Sequence, residues 1–164
     1  MTKEIITVKI EIERENDNIE ESSEFTTLEE IREKQSMVNI DFTKDNYLPR
    51  LNKEDLRELN KEDKPVVASK RMLDRNKMAH PDINEVEYNV LLINALYTPQ
   101  YILPANPDKP YYFHFIANIE NNKNSGVIVE LSETKENYEI VHIQKLRNKS
   151  VERIRKRDDK SYKE

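Results

Sequence analysis

The sequence predicts an α+β fold: two to three N-terminal helices, a four-stranded antiparallel β-meander, a basic C-terminal helix, and an extra strand at the N-terminus. Two observations carry most of this prediction. Residues 69–97 have the capping residues and apolar spacing of two helices, separated by the turn His80-Pro81-Asp82. From residue 100 onward, apolar segments of strand length are separated by clusters of turn-forming residues.

The first 45 residues are acidic, with 13 acidic and 6 basic side chains. Positions 4–13 alternate β-branched apolar residues with polar ones, which predicts a half-buried strand. Thr27 and Glu30 have the spacing of a capping box, which predicts a helix from Leu28 to about Gln35. We therefore expect residues 1–45 to form an arm of strand and linker. Its strand can pair either with the edge of another sheet or with a second copy of itself in a homodimer.

Residues 46–157 are expected to form the main domain, and residues 158–164 a charged tail. The expected helices are 53–59, 70–78, one that ends near residue 97, and 148–157, with a brief strand at 65–68. Asn52, Ser69, and Asp82 or Asn84 are the expected helix caps, and Pro81 prevents the helix before it from continuing. The expected meander strands are 100–103, 111–120, 127–131 and 138–146, with a turn at 121–126 that holds the single glycine.

Composition excludes several functional classes. The chain has no cysteine, so disulfides, thiolate zinc sites and cysteine nucleophiles are excluded. One glycine is too few for a dinucleotide-binding or P-loop phosphate site. No segment approaches the roughly 20 apolar residues of a membrane span, and the N-terminus lacks the apolar stretch of a signal peptide. We therefore expect a cytoplasmic protein without a membrane partner.

The C-terminal end is basic, with 9 basic and 4 acidic residues from Lys145 onward. A basic end of this kind suits a polyanion such as RNA. A solvated terminal helix has the same composition, however, so charge alone does not decide between the two.

The order of several short motifs resembles a known group of nucleases. The motifs are Lys-Pro-Val-Val at 64–67, His80-Pro81-Asp82-Ile83, Leu96-Tyr97-Thr98-Pro99, Lys-Pro-Tyr-Tyr at 109–112, Val-Ile-Val-Glu at 127–130, and Glu139-Ile140-Val141-His142. Together they resemble the nuclease-like domains of phages and integrative elements that are grouped with barnase, EndoU, colicin tRNases and RelE toxins. The resemblance covers residues 46–157. It implies metal-independent cleavage of RNA by the ribose 2′-hydroxyl, with no cofactor. An inhibitor or a host protein is a possible further partner.

The three histidines are the first candidates for proton transfer in such a reaction. His80 ends a helix, where it is either a catalytic group or a helix stop that bonds free carbonyls. His142 would lie on the open face of the last strand, with Gln144, if Val141 and Ile143 belong to the core. His114 is expected on the same open face. Their scattered positions argue against a zinc site, so no metal is expected.

The remaining candidates are one carboxylate and a set of possible RNA contacts. Glu130 is either a general base or an ion-pair partner of Lys145 or Lys123. Tyr112 can stack on a base, and the other expected substrate-binding residues are Lys123 and Ser125 in the turn at 121–126, and Lys145, Arg147 and Arg153 for phosphate. Each has an ordinary structural interpretation as well, namely sheet packing, turn formation or surface charge. Two other functions also remain open: a catalytically inactive module that binds RNA or protein, and an interaction protein that acts through strand 4–13.

Overall fold

The structure, a computed structural model, describes residues 25–163, with side chains described as far as Arg157. The predicted strand 4–13, and the homodimer expected through it, lie outside the described residues. The helices are α1 (Leu28–Ser36), α2 (Lys53–Glu58), α3 (Lys70–Ala79), α4 (Glu85–Tyr97) and α5 (Asn148–Lys163). The strands are β1 (Asn46–Leu48), β2 (Val66–Ala68), β3 (Tyr101–Pro104), β4 (Tyr112–Glu120), β5 (Lys123–Glu130) and β6 (Tyr138–Leu146).

The helices begin where local capping chemistry places them. Thr27 and Glu30 form a complete capping box at α1, and Asn84 and Glu87 form another at α4. The Ser69 hydroxyl accepts a hydrogen bond from the backbone of Met72 at the start of α3. An α+β fold is confirmed. Four of the described helices precede the meander: the helix predicted in the N-terminal arm and three in the main domain.

The sheet has six strands in the order β1-β2-β6-β5-β4-β3, which corrects the predicted four-stranded sheet. The antiparallel neighbours β3 to β6 are the predicted meander, and β2 adds to β6 in parallel. β1 pairs antiparallel with β2 and was not predicted. Pairing of β2 with β6 joins segments about 70 residues apart, so no local sequence pattern announces it.

The turn between β4 and β5 is shorter than predicted. Asn122 has the positive φ of 54° that a tight turn requires, and β5 begins at the next residue. Asn124, Ser125 and Gly126 therefore pair within the sheet, where the sequence had placed a turn. The prediction placed the turn at the only glycine, but an asparagine provides the left-handed position.

The core lies between one face of the sheet and helices α3 and α4. Leu91, Leu92 and Leu96 of α4 are fully buried against strand residues such as Phe115 and Val127. The described part of the predicted N-terminal arm packs into the same core, through Ile31, Val38 and Ile40. Among the described residues, no helix is long and apolar enough to span a membrane.

Helix α5 covers part of the opposite face of the sheet. The Asn124 side chain on β5 donates to Asn148 Oδ1 at 2.9 Å, and Val151 is buried. The Arg155 guanidinium lies 4.5 Å from the centre of the Tyr101 ring on the edge strand β3. This face also contains the fully buried Ile116, so the sheet is covered on both sides at this end.

Candidate active site

Two of the three histidines are in direct contact. His80 Nε2 lies 3.0 Å from His142 Nε2, although the residues are 62 positions apart in the sequence. Their ring centres are 4.7 Å apart and the ring planes are inclined by 69°. Both residues are half-buried, so the pair is partly accessible to solvent.

Asn76 explains why the two histidines meet. In the described structure β2 pairs with β6 only at Tyr138 and Glu139, which leaves the backbone of Ile143 open at the edge. The Asn76 amide closes that edge: its Oδ1 accepts from Ile143 N at 2.9 Å and its Nδ2 donates to Ile143 O at 2.9 Å. His80 follows Asn76 by one helical turn, so its side chain projects from the same side of α3.

His80 ends α3 through its backbone rather than through its ring. Its backbone N–H donates to Asn76 O at 2.8 Å, and its φ of −130° and ψ of 71° leave the helical region. The imidazole is therefore available for His142. The two interpretations of His80, a helix stop and a site residue, are compatible in this geometry.

A β-bulge decides which way His142 faces. The β5–β6 register shifts between Ile128 and Val129, so Val141 is an extra residue in β6. As a result Ile140 and Ile143 are both buried against the helices, while His142 is half-buried on the other face. Without the bulge, simple alternation along β6 would place His142 on the same face as Ile140.

The charge state of the pair follows from its surroundings. Partial burial lowers the pKa of His142 below its usual value, and the charges of His80 and Arg75 lower it further. An interaction with Gln144 opposes these effects and raises the pKa. The pair therefore resists carrying two positive charges at once.

His114 lies on the same face of the sheet but is closed to solvent. It is 3% exposed, and its Nε2 lies 3.4 Å from Gln144 Nε2. Burial lowers its pKa to about 4, with smaller contributions from His142 and Arg157. His114 is thus neutral at pH 7, and its buried position corrects the expectation that it lies on an open surface.

Gly126 allows the side chains of His114 and Gln144 to approach each other across β5. A Cβ atom added to Gly126 would lie 2.8 Å from His114 Nε2 and 2.6 Å from Leu146 Cδ1. These distances are shorter than ordinary contacts, so a larger residue would force the ring of His114 to move. Close packing of neighbouring strands, not turn formation, requires the glycine here.

Glu130 on β5 and Tyr112 on β4 are directly paired neighbours. Both lie on the face of the sheet that carries His114 and His142, here called the histidine face. Glu130 forms an ion pair with Lys135 at 3.2 Å, so a lysine other than the expected Lys145 or Lys123 is its partner. Lys109 Nζ lies 5.0 Å from the centre of the Tyr112 ring. Their catalytic and stacking roles stay predictions.

Three of the predicted substrate-binding residues lie away from the histidine face. Lys123 and Lys145 contact Glu87 of α4 at 3.2 Å and 3.4 Å, and Lys145 also donates to Asp82 O at 2.9 Å. They stabilise the start of α4 on the core side of the sheet. Ser125 is fully buried, and its hydroxyl donates to Ala117 O at 3.4 Å. Lys123 and Ser125 lie in β5 and not in the predicted turn, and the alternation of side chains puts Ser125 and its partner Lys145 on the core face. Their substrate-binding roles stay predictions.

The basic residues of α5 remain at the surface. Arg147 precedes the helix and is exposed. Arg153 is exposed as well, and with Lys149 and Lys156 it lines a shallow depression on α5. These three follow the helical spacing i, i+4, i+7, so they form a basic stripe.

Sequence reasoning missed Asn76 and Arg75, and it treated Gln144 only as a neighbour of His142. A signal existed for Asn76, because it follows the apolar Met72 and Leu73 at helical spacing and precedes the helix-terminal His80 by one turn. Arg75 carries no comparable signal, since its effect on His142 depends on how α3 lies against β6. Among the residues that the structure describes, no group of three or more histidine, aspartate or glutamate side chains is arranged to hold a metal ion.

Comparison with known families adds one assignment. The sequence profile of large polyvalent protein-associated domain 13 matches residues 8–158. The chain belongs to this family. The match confirms an association with phages and mobile elements, as the sequence resemblance implied, and for this polyvalent protein-associated domain the nuclease activity stays a prediction. No curated protein and no solved structure matches the chain.

Proposed function

We propose that this polyvalent protein-associated domain is a metal-independent endoribonuclease whose proton-transfer groups are His80 and His142. The observation that carries the proposal is the 3.0 Å contact between their Nε2 atoms at a half-exposed position. Two imidazoles from separate elements, held together by an anchored helix end, are the arrangement that proton transfer in both directions requires.

The reaction needs few groups. One group removes the proton of the ribose 2′-hydroxyl, and another protonates the 5′-oxygen that leaves. Imidazoles have a pKa of about 6.5, so a pair that shares one proton supplies an acid and a base near neutral pH. The phosphodiester binds between the two nitrogens and replaces their mutual contact. DNA lacks the 2′-hydroxyl, so the substrate class is RNA.

Cations near the pair support binding of a phosphate. Arg75 acts electrostatically on His142, and Arg157 acts on His114. The basic stripe of α5, formed by Lys149, Arg153 and Lys156, lies on the helix that covers the histidine face.

The test is cleavage of single-stranded RNA and of tRNA in the presence of EDTA. Wild type should cleave with formation of a 2′,3′-cyclic phosphate, and a 2′-deoxy substitution at the cleaved position should abolish the reaction. His80→Ala and His142→Ala should each lower the rate by about 100-fold or more. Lys70→Ala, an exposed change at the other end of α3, is the control and should leave the rate unchanged. Absence of cleavage by wild type on both RNAs would refute the proposal.

A catalytically inactive RNA- or protein-binding module is the second candidate. The exposed basic stripe of α5 favours it, since phosphate contacts alone support such binding. Salt-dependent binding of RNA by wild type, unchanged in His80→Ala and without any cleavage, would identify this function.

A further inference from the structure

We infer that Lys145 is a positioning residue, which holds the turn at residues 80–84 against β6 and thereby keeps His80 beside His142. The catalytic meaning of this assignment rests on the proposed function. The contact between the two rings exists without a substrate, so its dependence on Lys145 can be measured in the unliganded chain. This role differs from the phosphate contact that the sequence predicted for Lys145.

The end of α3 makes little contact with the core. None of residues 77–82 is buried, and Ile83 is the next residue that reaches the core. The backbone leaves the helical region at His80, where φ is −130° and ψ is 71°. Lys77 and Glu85 form an ion pair at 2.6 Å, but it joins α3 to α4 and not to the sheet. Polar contacts with β6 therefore decide where the ring of His80 lies.

Side chains tie this segment to β6 on both sides of His80. Asn76, one helical turn before it, bonds the backbone of β6 at 2.9 Å. Two residues after it, the backbone oxygen of Asp82 accepts from Lys145 Nζ at 2.9 Å. His142 lies on the same strand as both of these contacts. A single strand thus carries the partner of His80 and the groups that hold His80 from either side.

A fixed carboxylate keeps the Lys145 ammonium in place. Glu87 accepts from Asn84 N at 3.0 Å in the capping box of α4, and Lys123 lies 3.2 Å from it. These contacts, led by the one with the Asn84 backbone, hold the pKa of Glu87 below its usual value, so Glu87 is ionised at pH 7. Lys145 lies 3.4 Å from this carboxylate. Its three donor hydrogens suffice to bind the carboxylate and Asp82 O together.

The surroundings of Lys145 argue against a contact with phosphate. Its side chain lies on the core side of β6, whereas His142 and Gln144 lie on the histidine face. Its charge is opposed by Glu87 and by the Asp82 carboxylate, which is 3.9 Å away. A phosphate would have to displace both groups. Lys145 therefore acts on the reaction through the position of the turn.

The experiment is histidine NMR of the full chain, titrated without RNA. Lys145→Met keeps an apolar side chain of similar length and removes the donor, so His80 should move away from His142. The pKa of His142 should then rise, because the charge of His80 lowers it in the wild type. Lys145→Gln, whose side chain is shorter, should have the same effect. Lys145→Arg keeps a donor and the charge, so the pKa of His142 should stay close to the wild-type value.

Lys123→Met is the matched control for this measurement. Lys123 forms ion pairs with Glu87 and Glu120, so the variant loses a contact with the same carboxylate that Lys145 uses. The bond from Lys145 to the turn is kept, and the pKa of His142 should not change. An unchanged pKa in both Lys145→Met and Lys145→Gln, or an equal rise in Lys123→Met, would overturn the inference.

Failure of wild type to cleave RNA would refute the proposed function but leave these NMR outcomes intact. If wild type does cleave RNA, Lys145→Met should lower kcat by about 10-fold or more, since a small displacement of a reacting group is costly. KM and the salt dependence of RNA binding should stay as in the wild type. A raised KM and a weaker salt dependence with an unchanged kcat would identify Lys145 as a phosphate contact and count against the positioning role.

Discussion

At the scale of single residues, a buried carboxyl group outside the histidine pair has a strongly raised pKa. Asp55 of α2 is 4% exposed, and burial raises its pKa to about 7, with further contributions from Glu54 and Glu58. The Asn52 amide donates to Asp55 Oδ2 at 3.4 Å and opposes the rise. The charge of Lys34 on α1 also lowers the pKa of Asp55. Burial in turn lowers the pKa of Lys34 itself.

The raised pKa of Asp55 makes folding stability depend on pH. Between about pH 4 and pH 7 the folded state binds more protons at this site than the unfolded state, so its contribution to stability falls as the pH rises. Asp55→Asn should therefore stabilise the protein at pH 8 by up to about 4 kcal/mol and have little effect at pH 4. Urea unfolding at both values measures this difference. An equal effect of Asp55→Asn at the two values would contradict the prediction.

At the scale of elements, the contact of α3 with β6 decides the geometry of the candidate site. Asn76 is 3% exposed and bonds both backbone groups of Ile143 as well as the Tyr88 hydroxyl. This side chain acts as a missing strand partner at the edge of the sheet. Without it, two backbone groups would be left without hydrogen bonds in a buried place.

Asn76→Leu should accordingly destabilise the fold by about 2–4 kcal/mol, because buried backbone groups lose their partners. It should also separate the histidines, so the pKa of His142 should rise as the effect of His80 weakens. Asn76→Asp keeps the acceptor for Ile143 N and loses the donor, so an intermediate loss is expected. Denaturant unfolding and histidine NMR measure both effects. A fully stable Asn76→Leu with an unchanged His142 would show that α3 is held by other contacts.

Elements with local signals were predictable from the sequence, and long-range ones were not. The capping residues Thr27, Ser69 and Asn84 act within a few positions, so three helices begin where predicted. The pairing of β2 with β6 and the bulge at Val141 depend on distant strands. For the same reason the sequence named His80 and His142 as candidates but could not show their contact, and it placed Ser125 in a turn where the structure has a strand.

At the scale of the whole molecule, the distribution of charge is the feature that bears on the proposed binding of RNA. The net charge of −5 includes a C-terminal end with 9 bases and 4 acids from Lys145 onward. Of these bases, Lys145 is engaged by Glu87, whereas Arg153 and Lys156 are exposed on α5. Affinity for RNA should therefore depend on the stripe of α5 and not on overall charge.

The variant Arg153→Glu with Lys156→Glu should weaken binding of single-stranded RNA. Each lost phosphate contact should reduce the slope of log affinity against log salt by about 0.7. Lys70→Glu, an exposed charge reversal on α3, is the matched control and should affect the slope little. Fluorescence anisotropy over a range of salt concentrations measures both. Equal slopes in the stripe variant and the wild type would remove α5 from the RNA interface.

Gly126 makes a prediction about other members of the family. A glycine in the middle of a strand is ordinarily replaceable, and it costs backbone entropy. Here the ring of His114 occupies the volume that a methyl group would need. Relatives with a histidine at position 114 should therefore have a glycine at position 126. Relatives with a small residue at position 114 should tolerate alanine or serine at position 126. An alignment in which the two positions vary independently would show that the strands can accommodate both side chains.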